Sequence, residues 1–323
     1  MADLRIIFFG TADLACASLS ALAASAVGDV VGVVTQPDRP KGRELRLTPS
    51  PVKALAQELK LPVLQPERAR DPQFIQTLAE LRLDLIVVAA YGQILPPALL
   101  DLPRHGCLNV HTSLLPKYRG AAPIQWAILN GDCETGVTIM KMDPGLDTGD
   151  ILTQHTTSIV PEDNAQTLHD RLARLGAELL IQTIPDFLAG KILPRPQPSE
   201  SVSYARKITK EDGRLDWNRP ARVLWNQVRA FTPWPGSFTF LPATTERPLL
   251  KIRQVEVVEN ASGQPGEILR AERADLVVAC GEQALRLLVL QREGGRRLSA
   301  AEFLSGHPLQ AGQRLLTGQS HLP

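Results

Sequence analysis

The chain has 323 residues, enough for two or three domains at roughly 100–200 residues each. Hydrophobic residues make up 44% of it and charged residues 21%, which excludes a disordered, collagenous or coiled-coil protein. Its 35 Lys and Arg residues against 34 Asp and Glu give a net charge of +1, which excludes a uniformly charged polyanion binder but allows a local basic patch.

The first half of the sequence alternates short apolar runs with helical patterns. The runs at 5–9, 30–35, 85–90 and 107–111 end in turn residues, which is typical of buried strands. Helices are predicted at 12–26, 50–59 and 71–81, the second with Ser50 as N-cap and Pro51 in its first turn. The alternation predicts an α/β domain with a mostly parallel sheet, in which ligands bind beyond the carboxyl ends of the strands.

The second half predicts a change of architecture. Strands are predicted at 138–142 and 150–157, followed by an amphipathic helix at 167–189 and a Pro-rich stretch after Gly190. Short β-like runs and a helix at 221–230 then predict a small OB-like β-barrel. We therefore divide the chain into a catalytic domain at 1–189, a linker at 190–205 and a C-terminal domain at 206–323.

Charge and cysteine usage add weaker constraints. From Arg206 onward 17 Lys and Arg face 12 Asp and Glu, a net of +5, which indicates a polyanion partner or merely a solvated surface. The four cysteines form no CxxC pair, and neither a disulfide framework nor a zinc site is expected. No signal peptide is recognisable, and no apolar stretch reaches the ~20 residues that span a bilayer. These features predict a cytoplasmic protein without a membrane segment.

Asn109 and His111 are the first candidate catalytic residues. They lie two apart in a predicted strand, so both side chains point to the same face. An amide donor beside an imidazole could stabilise an oxyanion while the ring handles a proton. A histidine satisfied within the core is the alternative, but the strand end is where ligands bind, and a functional role is favoured.

Asp147 is the natural third member of the site. It lies in the middle of the Gly-rich loop after Met142, whereas Asp143 and Asp150 lie at the strand junctions, where capping is expected. Ordinary turn chemistry is the alternative for all three carboxylates. Without a nucleophilic Ser or Cys nearby, the three residue types favour direct group transfer over a covalent enzyme intermediate.

The loop at 35–51 is long, basic and rich in Gly and Pro. It leaves a strand at the ligand end of the sheet, and long loops inside compact domains are usually functional, although a solvated surface loop is the alternative. Its cations could grip phosphates. The four that fall within eight residues are Arg39, Lys41, Arg43 and Arg46.

Three stretches carry a resemblance to a known family. They are HTSLLPKYRGAAPIQWAILNGDCETGVTIMKMDPGLDTGD at 111–150, TQPDRPKGR at 35–43 and AAYGQILP at 89–96. They closely resemble the methionyl-tRNA formyltransferases, and the resemblance extends over nearly the whole chain. The core from Asn109 to Asp150 is similar to that of all 10-formyltetrahydrofolate-dependent formyltransferases, whereas the basic loop and the barrel narrow the resemblance to the tRNA enzymes.

The resemblance implies a Rossmann-like catalytic domain and an OB-like domain that helps hold tRNA. It implies formyl transfer from 10-formyltetrahydrofolate to the α-amine of initiator methionyl-tRNA. The mechanism requires no metal, and a monomer is expected. Arg43 matches the loop arginine used for the tRNA acceptor end. Asn109, His111 and Asp147 match the catalytic residues; Ser113, Leu114, Leu115 and Pro116, with Tyr91 and Gly92, match cofactor-binding segments.

The chain departs from the family pattern at two places. Ala12 stands where relatives usually have proline, and Glu44 and Leu45 stand where relatives often carry Gly and Lys. The second departure bears on the number of phosphate contacts. Two other functions stay open at this point: a formyltransferase acting on an amino-sugar nucleotide or another small amine, and a non-catalytic tRNA-binding protein, which would need a broken catalytic trio.

Overall fold

The computed structural model describes residues 4–41, 46–242 and 248–317. Within these ranges no helix is both long and apolar enough to cross a membrane. The chain forms two compact units, and each is described by itself. The first comprises Met1–Pro123, Glu134–Ser158 and Leu168–Arg206; the second comprises Ile124–Cys133, Ile159–Thr167 and Lys207–Pro323.

The first unit is the α/β part of the chain. Its strands are β1 Arg5–Gly10, β2 Asp29–Val34, β3 Arg39–Lys41, β4 Arg46–Thr48, β5 Val63–Leu64, β6 Leu85–Ala89, β7 Cys107–His111, β8 Arg119–Gly120, β9 Glu134–Lys141, β10 Asp150–Ser158 and β11 Tyr204–Ala205. Its helices are α1 Leu14–Ala24, α2 Pro51–Glu58, α3 Pro72–Glu80 and α4 Pro97–Leu100, whereas α5 Pro123–Leu129 and α6 Ala165–Leu188 have residues in both units.

Seven strands form the main sheet, in the order β10-β9-β7-β6-β1-β2-β5. The pairs from β7 through β5 are parallel, and the two pairs that involve β9 are antiparallel, which confirms the predicted mostly parallel sheet. Apolar side chains such as Ile7, Phe9 and Ile86 are fully buried and pack with Leu78 and Leu99 of the covering helices in one core.

Helix α2 begins as predicted. The Ser50 hydroxyl accepts a hydrogen bond from Lys53 N at 3.0 Å, and Pro51 occupies the first turn. Asp71 does the same for α3, accepting from Gln73 N at 2.9 Å. A side chain that accepts from a free N–H of the first turn satisfies a donor that the helix itself leaves unpaired, which is why these helices start at these residues.

The segment 190–205, predicted as a linker, belongs to the first unit. Ile151 and Arg195 exchange two backbone hydrogen bonds, at 2.8 and 2.9 Å, and β11 pairs in parallel with β8. The proline-rich composition predicted an extended chain but gave no sign that its backbone would be paired. The position of the domain division itself stays a prediction.

The second unit carries the antiparallel part of the chain. Its strands are β12 Ser237–Phe240, β13 Leu249–Val258, β14 Ile268–Glu272, β15 Asp275–Ala279, β16 Ala284–Arg292 and β17 Arg297–Ser299, with helices α7 Ala221–Ala230 and α8 Ala300–Gly306. The sheet order is β12-β13-β16-β15-β14, and β17 pairs with β16. Its core contains Trp217, Leu224, Leu250 and Phe303.

A short backbone segment closes this sheet. Leu316 exchanges two hydrogen bonds with Phe240 of β12, at 2.9 and 3.2 Å. On its other side, Gly312 N donates to Ile268 O of β14 and Ile268 N donates to Gln313 O, both at 2.8 Å. The two edge strands are thus joined through residues 312–316, which gives the closed antiparallel unit that the OB-like prediction required.

Candidate active site

His111 ends β7, the strand that lies between β6 and β9. The whole strand is buried, and the imidazole keeps only 7% of its surface exposed. Its Nε2 lies 3.0 Å from the carbonyl oxygen of Tyr118. Because a carbonyl oxygen can only accept, Nε2 carries the hydrogen and donates it. The lone pair of the neutral ring is therefore on Nδ1, which is the nitrogen left to take up a proton.

Asp147 faces that nitrogen. Its Oδ2 lies 3.8 Å from His111 Nδ1, too far for a hydrogen bond but close enough to pair with an imidazolium. The same Oδ2 accepts a hydrogen bond from Gly120 N at 2.7 Å. The predicted proximity of the two side chains is thus present. The hydrogen bond that orients the ring, however, comes from Tyr118, which sequence reasoning missed because only its backbone oxygen takes part.

The loop that carries Asp147 is held by hydrogen bonds between its own residues and by hydrogen bonds from Gln197. Asp143 Oδ1 accepts from Gly145 N at 3.1 Å and from the Thr148 hydroxyl at 2.6 Å, which is the capping role predicted for it. Asp147 has a φ of 51°, in the left-handed region that few non-glycine residues adopt. From outside, the side-chain amide of Gln197 donates to the loop backbone, a contact for which the sequence carried no signal.

Asn109 shares a face of β7 with His111, as the strand period requires. Only 9% of its surface is exposed. Its side-chain amide makes no hydrogen bond to any residue within 4–41, 46–242 or 248–317. With no protein partner among these residues, its N–H groups are available to a ligand.

Two side chains of nucleophilic type lie close by in sequence, Cys107 and Ser113, and neither is activated. Burial raises the pKa of the nearby Cys107 thiol to about 12, so it is protonated at neutral pH. The Ser113 hydroxyl is fully buried and donates to Lys117 O at 2.6 Å. An amide donor, a proton-accepting nitrogen and a carboxylate can stabilise an oxyanion and move a proton, which fits direct transfer. Among the described residues, no three His, Cys, Asp or Glu side chains form a group that could hold a metal ion.

The predicted cofactor segment 113–116 is fastened to β9. The buried Thr138 hydroxyl donates to Ser113 O at 2.7 Å and accepts from Leu115 N at 3.1 Å. The Gln154 amide donates to Leu115 O and to the same hydroxyl, both at 3.0 Å. Ser113, Leu115 and Pro116 are buried, whereas Leu114 keeps part of its surface exposed. Of the four, Leu114 is the side chain left to touch a ligand.

Tyr91 joins three strand ends. Its carbonyl oxygen accepts from the Thr11 hydroxyl and from Gln36 Nε2, both at 2.9 Å. Its ring packs edge-on against Phe9, at 5.1 Å between centroids, and burial raises the pKa of its phenol to about 12. The ring thus belongs to the core. The exposed Gly92 that follows, at a φ of 84°, is the part of this predicted pair that a ligand can reach.

The residues at the start of the basic loop are held by hydrogen bonds. Most of the side chains predicted to contact tRNA lie outside the described residues. Arg39 Nη2 donates to Gln36 Oε1 at 3.3 Å. Hydrogen bonds from Lys53 Nζ, at 2.6 Å, and from Gln65 hold the pKa of Asp38 below its ordinary value. Outside the described residues lie Arg43 and the side chains of Lys41 and Arg46.

An open cavity of about 540 Å³ lies in the first unit. The segment after Gly92 contributes Pro97 and Leu100, and the loop that carries Asp147 contributes Asp143 and Pro144. None of the residues that line it is a predicted site residue. Residues 103–106 of the lining precede β7, so the cavity lies at the amino end of that strand, opposite to His111. The rest of its lining is Asp101, Pro103, Arg104, His105, Gly106, Lys141, Met142 and Phe187.

Comparison with known proteins gives concordant matches. The family model described as formyl transferase matches residues 4–184, and the model described as formyl transferase, C-terminal domain, matches residues 207–308. The chain is 51% identical over 315 residues to the methionyl-tRNA formyltransferase of Geobacter sulfurreducens, covering 98% of each chain. It is 49% identical over 315 residues to that of Geobacter metallireducens, covering 98% of this chain and 99% of the relative.

A solved structure supports the fold. The chain is similar to WlaRD, described as a sugar 3N-formyl transferase in the presence of dTDP and 5-N-formyl-THF, with a TM-score of 0.63. The match covers 89% of this chain and 98% of that one. At 18% sequence identity, the similarity extends to the fold alone.

Proposed function

We propose that this chain, which belongs to the methionyl-tRNA formyltransferase family, transfers the formyl group of 10-formyltetrahydrofolate to the α-amine of methionine on initiator tRNA. The observation that carries the proposal is the arrangement at the end of β7. An unengaged Asn109 amide and the free Nδ1 of His111 share one face, and Asp147 Oδ2 lies 3.8 Å from that nitrogen. These are the groups that acyl transfer to an amine needs.

The amine attacks the formyl carbon directly. An α-amine has a pKa near ~8, so a useful fraction is neutral at physiological pH. Its lone pair forms the new C–N bond, and the carbonyl electrons move to oxygen as an oxyanion. Asn109 donates a hydrogen bond to that oxygen, an interaction worth about 3 kcal/mol in the transition state when the donor is preorganised.

His111 moves the proton. The attacking nitrogen becomes positively charged and passes its proton to Nδ1, because Nε2 is already donating to Tyr118 O. The imidazolium is then stabilised by the Asp147 carboxylate. As the bond from carbon to folate N10 breaks, His111 returns the proton to that nitrogen. The products are formylmethionyl-tRNA and tetrahydrofolate, and atoms and charge balance without a covalent enzyme intermediate.

The folate co-substrate is assigned to the loops around this end of the sheet. Leu114 and Gly92 offer exposed surface in the two predicted segments. Ser113, Leu115 and Pro116 are therefore proposed to shape the backbone of the folate site. Leu114 and Gly92 are proposed to contact the folate directly.

The tRNA is assigned to the basic loop and the C-terminal unit. Arg43, which lies outside the described residues, is proposed to grip the acceptor end, with Arg39, Lys41 and Arg46 adding positive charge nearby. Residues from Arg206 onward carry a net charge of +5, which suits a polyanion. We also propose a monomer acting in the cytoplasm, which sedimentation velocity and fractionation would check.

Formyl transfer measured on a panel of acceptors tests the proposal. Purified protein is given 10-formyltetrahydrofolate with charged initiator tRNA, charged elongator tRNA, free methionine or an amino-sugar nucleotide. We expect kcat/KM to be highest for initiator methionyl-tRNA. A higher value for a free amine or the nucleotide sugar would replace the proposal with the alternative function. If no formyl group were transferred to any acceptor, the remaining hypothesis would be a non-catalytic tRNA-binding protein.

A further inference from the structure

The segment 190–205 is pinned to the active-site loops on both sides of Gln197. Before it, Arg195 pairs with Ile151, at the start of β10, by two backbone hydrogen bonds. After it, Ser203 O accepts from Arg119 N at 2.8 Å, and β11 pairs in parallel with β8. The backbone around Gln197 therefore cannot drift, and its side chain has a defined direction.

The Gln197 amide has no unused hydrogen-bonding position. Its Oε1 accepts from Arg119 Nε at 3.1 Å and from Nη2 at 2.7 Å. Its Nε2 donates to Asp147 O and to Gly149 O, both at 2.8 Å. A guanidinium only donates and a carbonyl oxygen only accepts, so the amide fits in one orientation. Arg119 thus turns the two N–H groups toward the loop.

These bonds act on the residue that faces His111. Asp147 has a φ of 51°, in the left-handed region, which aspartate adopts more readily than most residues and which local hydrogen bonds help to hold. Gln197 holds the carbonyl of Asp147, and Gly120 N of β8 holds its carboxylate. Arg119 and Gly120 are adjacent in β8. Arg119 binds the Gln197 side chain, and Gly120 N binds the Asp147 carboxylate. One of the hydrogen bonds that hold the Asp147 backbone thus comes from the Pro-rich segment 190–205.

We propose that Gln197, aligned by Arg119, is a positioning residue that keeps Asp147 against His111, so that the segment 190–205 is part of the catalytic machinery. The proposal rests on the proposed function for its kinetic consequence. It assigns Gln197 no contact with substrate. Its effect should therefore fall on kcat, because a misplaced carboxylate stabilises the imidazolium less well while the substrates bind elsewhere.

Full-length variants test this role. Gln197→Ala is expected to lower kcat by about 10- to 100-fold with both KM values within about two-fold of the wild type. Gln197→Glu keeps the acceptor for Arg119 but offers no N–H to the two carbonyls, so we expect at least the same loss. Gln76→Ala, at an exposed position of α3, is the matched control and should leave kcat unchanged. An unaltered kcat in Gln197→Ala would overturn the proposal.

A double-mutant cycle separates positioning from a general loss of structure. In an Asp147→Asn background, Gln197→Ala should change kcat by less than about two-fold, because its partner's charge is already gone. Fully additive losses would overturn the proposal. Amide hydrogen exchange over 143–150 gives a reading independent of activity: faster exchange in Gln197→Ala supports the role, and unchanged exchange overturns it. A wild-type protein without formyl transfer would refute the proposed function while leaving this exchange test decisive.

Discussion

The Thr138 hydroxyl is the fastening point of the predicted cofactor segment. It is fully buried, donates to Ser113 O at 2.7 Å and accepts from Leu115 N at 3.1 Å and Gln154 Nε2 at 3.0 Å. Thr138→Val removes the hydroxyl and keeps the shape of the side chain. The variant therefore isolates the hydrogen bonds from packing.

The cost follows from the groups left without partners. Ser113 O and Leu115 N lie in a buried segment, and each unsatisfied buried group costs about 1–3 kcal/mol. Gln154 Nε2 keeps its bond to Leu115 O, so it adds little. Burial of the extra methyl offsets about 1 kcal/mol. We expect a net loss of about 1–5 kcal/mol, or roughly 2–20 °C in Tm for a unit of this size.

Thermal unfolding followed by circular dichroism measures the loss, and titration with a folate measures its effect on binding. Thr183→Val is the matched control. Thr183 is also buried, but its hydroxyl bonds to Thr153 Oγ1 and to Leu179 O within helix α6, so fewer groups lose their only partner. We expect a loss below about 1 kcal/mol there. Equal Tm values for the two variants, with unchanged folate affinity, would refute the fastening argument.

Three further predictions concern the site and its loops. His111→Ala and Asn109→Ala should each lower kcat by about 100-fold or more with little change in KM for tRNA; near-normal turnover in His111→Ala would exclude the proposed proton transfer. Arg43→Leu should weaken charged-tRNA kinetics more than Arg43→Lys does and lower the salt slope by about one unit, whereas an unaltered slope would make the loop mere surface. Gly92→Ala should lower the free energy of unfolding by about 1–2 kcal/mol, measured by thermal unfolding, because φ is 84° and the new Cβ would lie 2.7 Å from Gln36 Nε2. Gln36→Ala in the same chain should recover only the steric part.

Sequence patterns predicted the fold where elements are long enough to show a period. The strand 107–111 was predicted with the bounds of β7, and the helix 221–230 with those of α7. β8 and β11 were missed because strands of two residues have no period to detect. The proline-led α5 was missed too, in a segment that the strand and helix patterns left unassigned.

The same distinction applies to the candidate site: roles carried by side chains could be predicted, and contacts made by backbone atoms or by distant residues could not. The sequence predicted Asn109, His111 and Asp147 because residue type and spacing indicate which side chains can do chemistry together. Tyr118 acts through its backbone oxygen, which any residue would supply, and Gln197 acts across 50 positions of chain. Neither contact has a local signature, so only the structure reveals what orients the imidazole and its carboxylate partner.

The closure of the antiparallel sheet by residues 312–316 makes both edge strands depend on one short segment for their backbone partners. A peptidase that trimmed the chain back past Gly312 would remove the bonds to Phe240 and Ile268 together. Two strand edges would be bared at once, and bare edges recruit strands from other molecules. A chain shortened in this way would therefore be expected to self-associate through β12 and β14.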